Sequence, residues 1–242
     1  MRRIGFSTGA LARGDFRSAL ATLRHHGVRV VELSALRAME LEPLVTALPS
    51  LDLSDFGFVS IHAPSQYAPA EEARMIERLC DIVTRGFPVV VHPDVMFTPS
   101  RWRVLGEGLF IENMDKRKPV GRTAEELWQF FAELPAARFC FDIGHARQVD
   151  PTMTEAVLLL RAFHDRLAEV HMSEVNTASR HDPLSMNAVS AFGPVLSVIP
   201  ESVPIVLESL IDQGQSDIQT ELQRANDVFA ATATVEYSGA ES

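Results

Sequence analysis

The chain has 242 residues, 46% of them hydrophobic, and carries 32 acidic against 22 basic side chains for a net charge of −10. This balance works against a broad, non-specific nucleic-acid surface, which draws on clustered lysine and arginine. No uninterrupted apolar run reaches the roughly 18 residues of a membrane span, so no membrane partner is expected.

Apolar, β-prone runs occur near residues 3–7, 28–33, 57–62, 88–92, 108–112, 138–142, 167–172 and 204–208. Helical patterns near 15–26, 40–48, 70–85, 123–132, 153–164, 186–198 and 213–231 alternate with them. The first run, in MRRIGFSTGALARGD, lacks the long apolar segment of a signal peptide and reads as a first strand. Asp15 and Thr123 stand where N-caps belong, and Thr123 with Glu126 fits a capping box. Between the fourth and fifth strands TPSRWRVLGEG offers only a turn or short helix. Eight alternating units imply an α/β protein with a parallel sheet, closed as a single (β/α)₈ TIM barrel over residues 1–230. The segment 231–242 is small and polar and reads as a loosely ordered tail. GFSTGALARG lacks the spacing of a dinucleotide fingerprint. Cys80, in a helical pattern, and Cys140, in a strand, give no disulfide framework and read as reduced, buried residues of a cytoplasmic protein.

The chemistry lies at the strand ends. VSIH, VVVH, LFIE, FCFD, AEVH and IVLE close on His62, His92, Glu112, Asp142, His171 and Glu208. Any one of these alone is adequately explained as a hydrogen-bonded residue at a core edge. In a closed barrel, however, the ends of all strands surround one mouth, and six potential ligands then converge. Imidazole with carboxylate suits zinc, manganese, iron or cobalt, and more carboxylates shift the balance toward manganese or magnesium. His145, three residues after Asp142, and His181, on the loop after His171, extend the set. His25, His26 and His164 fall in or at the ends of helical patterns and read as structural. Glu32, ending VVE, faces either the mouth and substrate or a supporting position. The only lysines, Lys116 and Lys118, lie with Arg117 and Arg122 just after Glu112. They form either a solvated loop or an anion contact for substrate.

The segments SIHAP, VVHP, IEN, FDIGH, VHMSE and LES, in this order over about residues 3–212, resemble the xylose-isomerase-like TIM barrels. That group contains sugar isomerases and epimerases as well as the endonuclease IV class of abasic-site endonucleases. In the first branch the resemblance implies one divalent metal on Glu112, Asp142, His171 and Glu208. The two glutamates there act as acid and base, and His145 touches substrate. In the second it implies a metal on His62, His92 and a bridging Glu112, and another on Glu112, Asp142, His171 and Glu208. A third would sit on His145, His181 and an aspartate two residues before His181. This chain has Ser179 at that last position, with Asp182 as the nearest substitute. Leu36-Arg37 and Gln66-Tyr67 stand where DNA wedges are conceivable, although ordinary loop packing explains them.

The first expectation is therefore a metal-dependent isomerase or epimerase of a sugar or sugar phosphate, working through an enediolate. The alternative is an endonuclease IV-like phosphodiesterase with two or three metals. A non-catalytic metal-binding barrel and an iron-dependent oxidase are weaker readings on the same scaffold. The expected cofactor is Mn²⁺ or Zn²⁺, one ion or more, with iron left open. The expected partner is a small molecule; nucleic acid is not favoured, and a homo-oligomer is left open.

Overall fold

A computed structural model describes residues 2–211 and 217–236, with side chains as far as residue 230. Eight parallel strands close into a barrel: β1 (Ile4–Ser7), β2 (Val30–Ser34), β3 (Phe58–His62), β4 (Val89–Val91), β5 (Leu109–Glu112), β6 (Arg138–Asp142), β7 (Leu167–Met172) and β10 (Ile205–Leu207). Each matches one of the eight apolar runs. β1 pairs with both β2 and β10, which closes the ring. β8 (Glu174–Val175) and β9 (His181–Asp182) form a small antiparallel pair outside it. Among the described residues no helix is long and apolar enough to cross a membrane.

The helices are α1 (Thr8–Ala12), α2 (Phe16–His25), α3 (Ala38–Ala47), α4 (Glu72–Val83), α5 (Ala124–Glu133), α6 (Ile143–Val149), α7 (Thr154–Phe163), α8 (Met186–Leu196) and α9 (Ile218–Glu236). Asp15 caps α2 by accepting from the Ser18 amide, and Thr123 caps α5 by accepting from that of Glu126. The capping box is altered, because Glu126 reaches back to the amide and guanidinium of Arg122 instead. Residues 99–108 form a 3₁₀ segment, the turn or short helix expected there. Three elements were not foreseen: α1, α6 and the β8–β9 pair. The helix expected over 213–231 is seen as α9 and continues along the backbone to Glu236, past the point where the tail was expected to begin. Residues 212–216 and 237–242 lie outside the described residues.

Alternation along each strand sorts side chains into two populations. On β6, Phe139 turns out against the helices, where its ring lies 6.2 Å from Phe131 and 5.4 Å from Phe163. Cys140 and Asp142, in the opposite phase, point into the barrel. The interior begins with an apolar group of Phe58, Val90 and Phe110 around Cys140. Above it lies a buried polar layer containing Glu32, Ser60 and Glu169. The register places Ser60 beside Glu32 and Glu169 beside Cys140. One register step further toward the strand ends, His171 lies beside Asp142. Both cysteines are free; Cys140 is buried as expected, whereas Cys80 is only half-buried.

β7 reaches this arrangement through an irregularity. Leu167 pairs with Phe139 and Glu169 with Cys140, so Ala168 is an extra residue opposite the junction. Close packing also constrains Gly144, at the start of α6: a Cβ there would stand 2.5 Å from the Ser173 carbonyl oxygen and 2.7 Å from Val175 Cγ2. Gly144→Ala is therefore expected to destabilise the fold by roughly 1–3 kcal/mol through overpacking. Thermal unfolding checks this, and an unchanged midpoint would mean that α6 has room to shift.

Candidate metal centre

The strand ends deliver His62 from β3, Glu112 from β5, Asp142 from β6 and His171 from β7, while His92 and Glu208 follow β4 and β10 directly. Glu112 is the hub. Its Oε2 lies 3.2 Å from Nε2 of both His62 and His92. Its Oε1 lies 3.2 Å from His145 Nδ1 and 3.6 Å from His171 Nδ1. One carboxylate thus presents its two oxygens to two separate histidine pairs. His171 Nδ1 is also 3.6 Å from Glu208 Oε1.

Two parts of the chain, the β5–β6 ends and the loop after β7, complete the mouth. Asp142 caps the unforeseen helix α6, its Oδ1 accepting from the His145 amide at 2.6 Å, which turns His145 back over the strand end. Asn113, missed in the sequence, clasps the neighbouring strand: its Nδ2 donates to the Asp142 carbonyl and its Oδ1 accepts from the Asp142 amide, each at 2.8 Å. In the second part, the β8–β9 pair folds the long loop back and sets His181 Nδ1 2.9 Å from Ser173 Oγ and 3.3 Å from Glu208 Oε2. The His145 and His181 rings lie 5.3 Å apart.

Ser179 does not reach these rings. It has a left-handed φ of 53° at the tip of the loop, and its hydroxyl donates to Asp115 Oδ1 at 2.8 Å. Asp182 does not stand in for the expected aspartate either, since it accepts from Asn176 Nδ2 at 2.7 Å and faces Arg180. The outer group therefore consists of His145 and His181 with Asp142. Among the described residues, four overlapping sets bring ligand atoms within 4.8 Å of one another: His62–His92–Glu112, Glu112–Asp142–His171–Glu208, Asp142–His145–His181 and Glu32–His62–His171.

The fit to cations rests on buried polar atoms. Asp142 Oδ2, Glu208 Oε2, His92 Nδ1 and both nitrogens of His171 are buried without a hydrogen-bond partner. Leaving such groups unpaired is costly unless a charge satisfies them. The tautomers also suit ligation. His62 Nδ1 donates to the Ala63 carbonyl at 2.8 Å and His145 Nδ1 to that of Asn113 at 3.0 Å, which turns each Nε2 to the side where an ion would be held. Without metal, protons carry the positive charge. Burial pushes His62 down, but Glu32, Glu112 and Glu208 outweigh it and raise it to about 9. Burial likewise opposes, and Asp142 and Glu112 overcome, the rise of His145 to about 10. His171 is held well above its ordinary value against burial by Cys140 and the glutamates around it. Burial would raise Glu112, yet His92 and His171 hold it well below the usual carboxylate range. Burial, helped by Glu208 and Glu112, pushes Asp142 up to about 7 against His145. Burial lowers His92 and His181.

The residues expected to meet substrate divide. Lys116 is exposed beside the mouth, as is Arg117. Lys118 instead donates to Asp94 Oδ2 at 2.8 Å, and Asp94 Oδ1 lies 3.9 Å from His92 Nδ1. Arg122 is engaged by both oxygens of Glu126, at 2.5 and 3.2 Å, so it supports α5 rather than an anion site. Glu32 is the clearest correction. It has no solvent exposure and lies beneath the centre, its Oε2 3.1 Å from His171 Nε2, where no substrate reaches it. Of the wedge candidates, Tyr67 donates to the Val95 carbonyl and Arg37 pairs with Glu40, both as ordinary loop packing. His25 and His164 are exposed and His26 half-buried, away from the centre.

No protein-family model matches the chain, and no curated protein does. Solved structures do. Endonuclease IV from Thermus thermophilus superposes with a TM-score of 0.58 at 21% identity, over 96% of this chain and 99% of that one. A xylose isomerase domain protein from Alicyclobacillus acidocaldarius gives 0.57 at 13% identity, over 96% and 97%. Dihydropteroate synthase from Yersinia pestis gives 0.54 at 11% identity, over 96% and 93%. At these identities the likeness speaks for architecture alone, the closed (β/α)₈ barrel.

Proposed function

We propose that the chain is a metal-dependent phosphodiesterase with two divalent ions shared through Glu112. The observation that carries this reading is the division of the Glu112 oxygens between His62–His92 on one side and His145–His171 on the other. His62, His92 and Glu112 would hold one ion, and Glu112, Asp142, His171 and Glu208 the other. Such ions supply Lewis-acid neutralisation of a phosphate and make a water nucleophilic near neutral pH. The fixed Nε2 atoms of His62 and His92 set the inner edge of the site. His181, held by Ser173, closes its outer edge. Lys116 and Arg117 give a local basic rim to a chain of net charge −10, suited to guiding an anionic substrate inward. The superposition on a protein named as an endonuclease fits this reading.

The isomerase reading keeps one specific support, the compact Glu112–Asp142–His171–Glu208 set, which can hold a single ion between two glutamates. It is weakened by Glu112, which four imidazoles already contact and which is therefore poorly free to carry a proton to and from carbon. A sugar phosphate incubated in heavy water separates the two. Metal-dependent exchange of its carbon-bound proton, lost in Glu208→Gln, would favour isomerisation.

Incubation with a duplex bearing one abasic site tests the main reading. Incision is expected with zinc or manganese, abolished by chelator and reduced more than about 100-fold in His92→Ala, since even outer partners of metal ligands cost 10–100-fold. Absence of incision with either metal would sink the proposal. Metal loading is also expected to release protons, because His62 at about 9 and His145 at about 10 are charged near neutral pH in the empty protein. Apparent affinity should rise as pH climbs toward about 9. Titration calorimetry in buffers of different ionisation enthalpy measures this, and a buffer-independent heat near neutral pH would contradict it.

A further inference from the structure

Each histidine of the centre is backed differently, and the backing of His171 is exceptional. Behind His62 stands a neutral carbonyl, that of Ala63. Behind His92 stands Asp94, whose charge Lys118 offsets at 2.8 Å. Behind His171 stands Glu32, 3.1 Å from Nε2, with Glu169 at 3.7 Å from the same nitrogen. Glu32, Glu169 and His171 have no solvent exposure at all. Ser60 donates to one oxygen of Glu169, whereas both oxygens of Glu32 lack any hydrogen-bond partner. The other face of the ring turns Nδ1 toward Glu112 and Glu208, 3.6 Å from each.

We propose that Glu32 is a positioning residue for the metal: its charge, 3.1 Å from Nε2, favours the proton of His171 on that nitrogen and so presents the Nδ1 lone pair to the ion. This rests on the reading that Glu112, Asp142, His171 and Glu208 hold a divalent cation. The physical reason is the single proton of a neutral imidazole. A carboxylate at one nitrogen fixes that proton there, leaves the other nitrogen as a donor and makes it more basic. The two buried carboxylates behind the ring draw on the positive charge of His171, and a cation on Nδ1 would polarise the ring to the same end. Glu32 acts on the Glu112–Asp142–His171–Glu208 position through His171.

The test compares the intact chain with Glu32→Gln, which keeps the side-chain shape and removes its charge. Zinc affinity is read by chelator competition, the visible spectrum of the cobalt-loaded protein reports the ligand geometry, and thermal unfolding is followed without metal. Glu32→Gln is expected to weaken zinc binding by about 10–100-fold and to shift the cobalt bands. The loss of affinity should be seen at temperatures well below its metal-free unfolding midpoint, where the variant is folded. Glu32→Asp, which keeps the charge, should recover part of the affinity.

Affinity within twofold of the unaltered chain would overturn the proposal. A lower metal-free midpoint with unchanged affinity would do the same, since that is the signature of a structural role. Failure of both variants to fold would also count as that structural role. Failure of the unaltered chain to bind zinc or cobalt would instead bring down the metal reading itself.

Discussion

The barrel mouth is organised around charge that cannot reach water. Glu32, Glu112, Asp142, Glu169 and His171 are all buried in the upper half of one barrel, with His62 and His145 nearly so. A concentration of carboxylates like this is tolerated only where positive charge sits among them. In the empty protein the charge is protonic, and so His62 and His145 are driven upward while Glu112 is driven down. A divalent ion replaces several such protons at once. The surrounding hydrogen bonds then read as preparation: Asn113 locks two strand ends, Asp142 caps α6, and the β8–β9 pair returns His181 to the mouth.

The eight strands and the six histidines and carboxylates at the ends of six of them were legible in the sequence for one reason. Apolar runs ending in a histidine or a carboxylate leave little choice of phase, and barrel closure brings the ends together. What escaped was encoded in single hydrogen bonds rather than in periodicity. Asp142 read as a ligand but not as the cap of α6, although an aspartate three residues ahead of a turn is a recognisable N-cap signal. Asn113 carried no pattern beyond its place after Glu112. Glu32 was legible as a strand-end carboxylate, but its depth depends on its register against Ser60, and pairing offsets are not written in either strand alone. The anion-binding role of Lys118 and Arg122 failed because Asp94 and Glu126 lie within reach of them, one on another loop and one a helical turn away.

The functional readings diverge over the freedom of one side chain. An enzyme that moves protons on carbon requires a carboxylate that can accept and release them, whereas an enzyme that clamps phosphate requires a carboxylate that stays ionised between cations. Glu112 has the environment of the second kind. Glu208, half-buried and facing His171 and His181, is less constrained. The same scaffold thus accommodates both chemistries, and the hydrogen-bonding load on a single glutamate separates them.

The irregularity in β7 has a consequence for how this barrel could acquire or lose its centre. If Ala168 took its place in the ladder instead of bulging, the strand would continue in step with Leu167, and Glu169 and His171 would turn toward the helices while Val170 pointed inward. The sequence would still end its strand on AEVH and would still look like a ligand-bearing barrel. Its interior would be apolar at that level, and the ion would lose both a ligand and the anionic floor beneath it. One bulge, at a residue with no chemistry of its own, decides which way the others face.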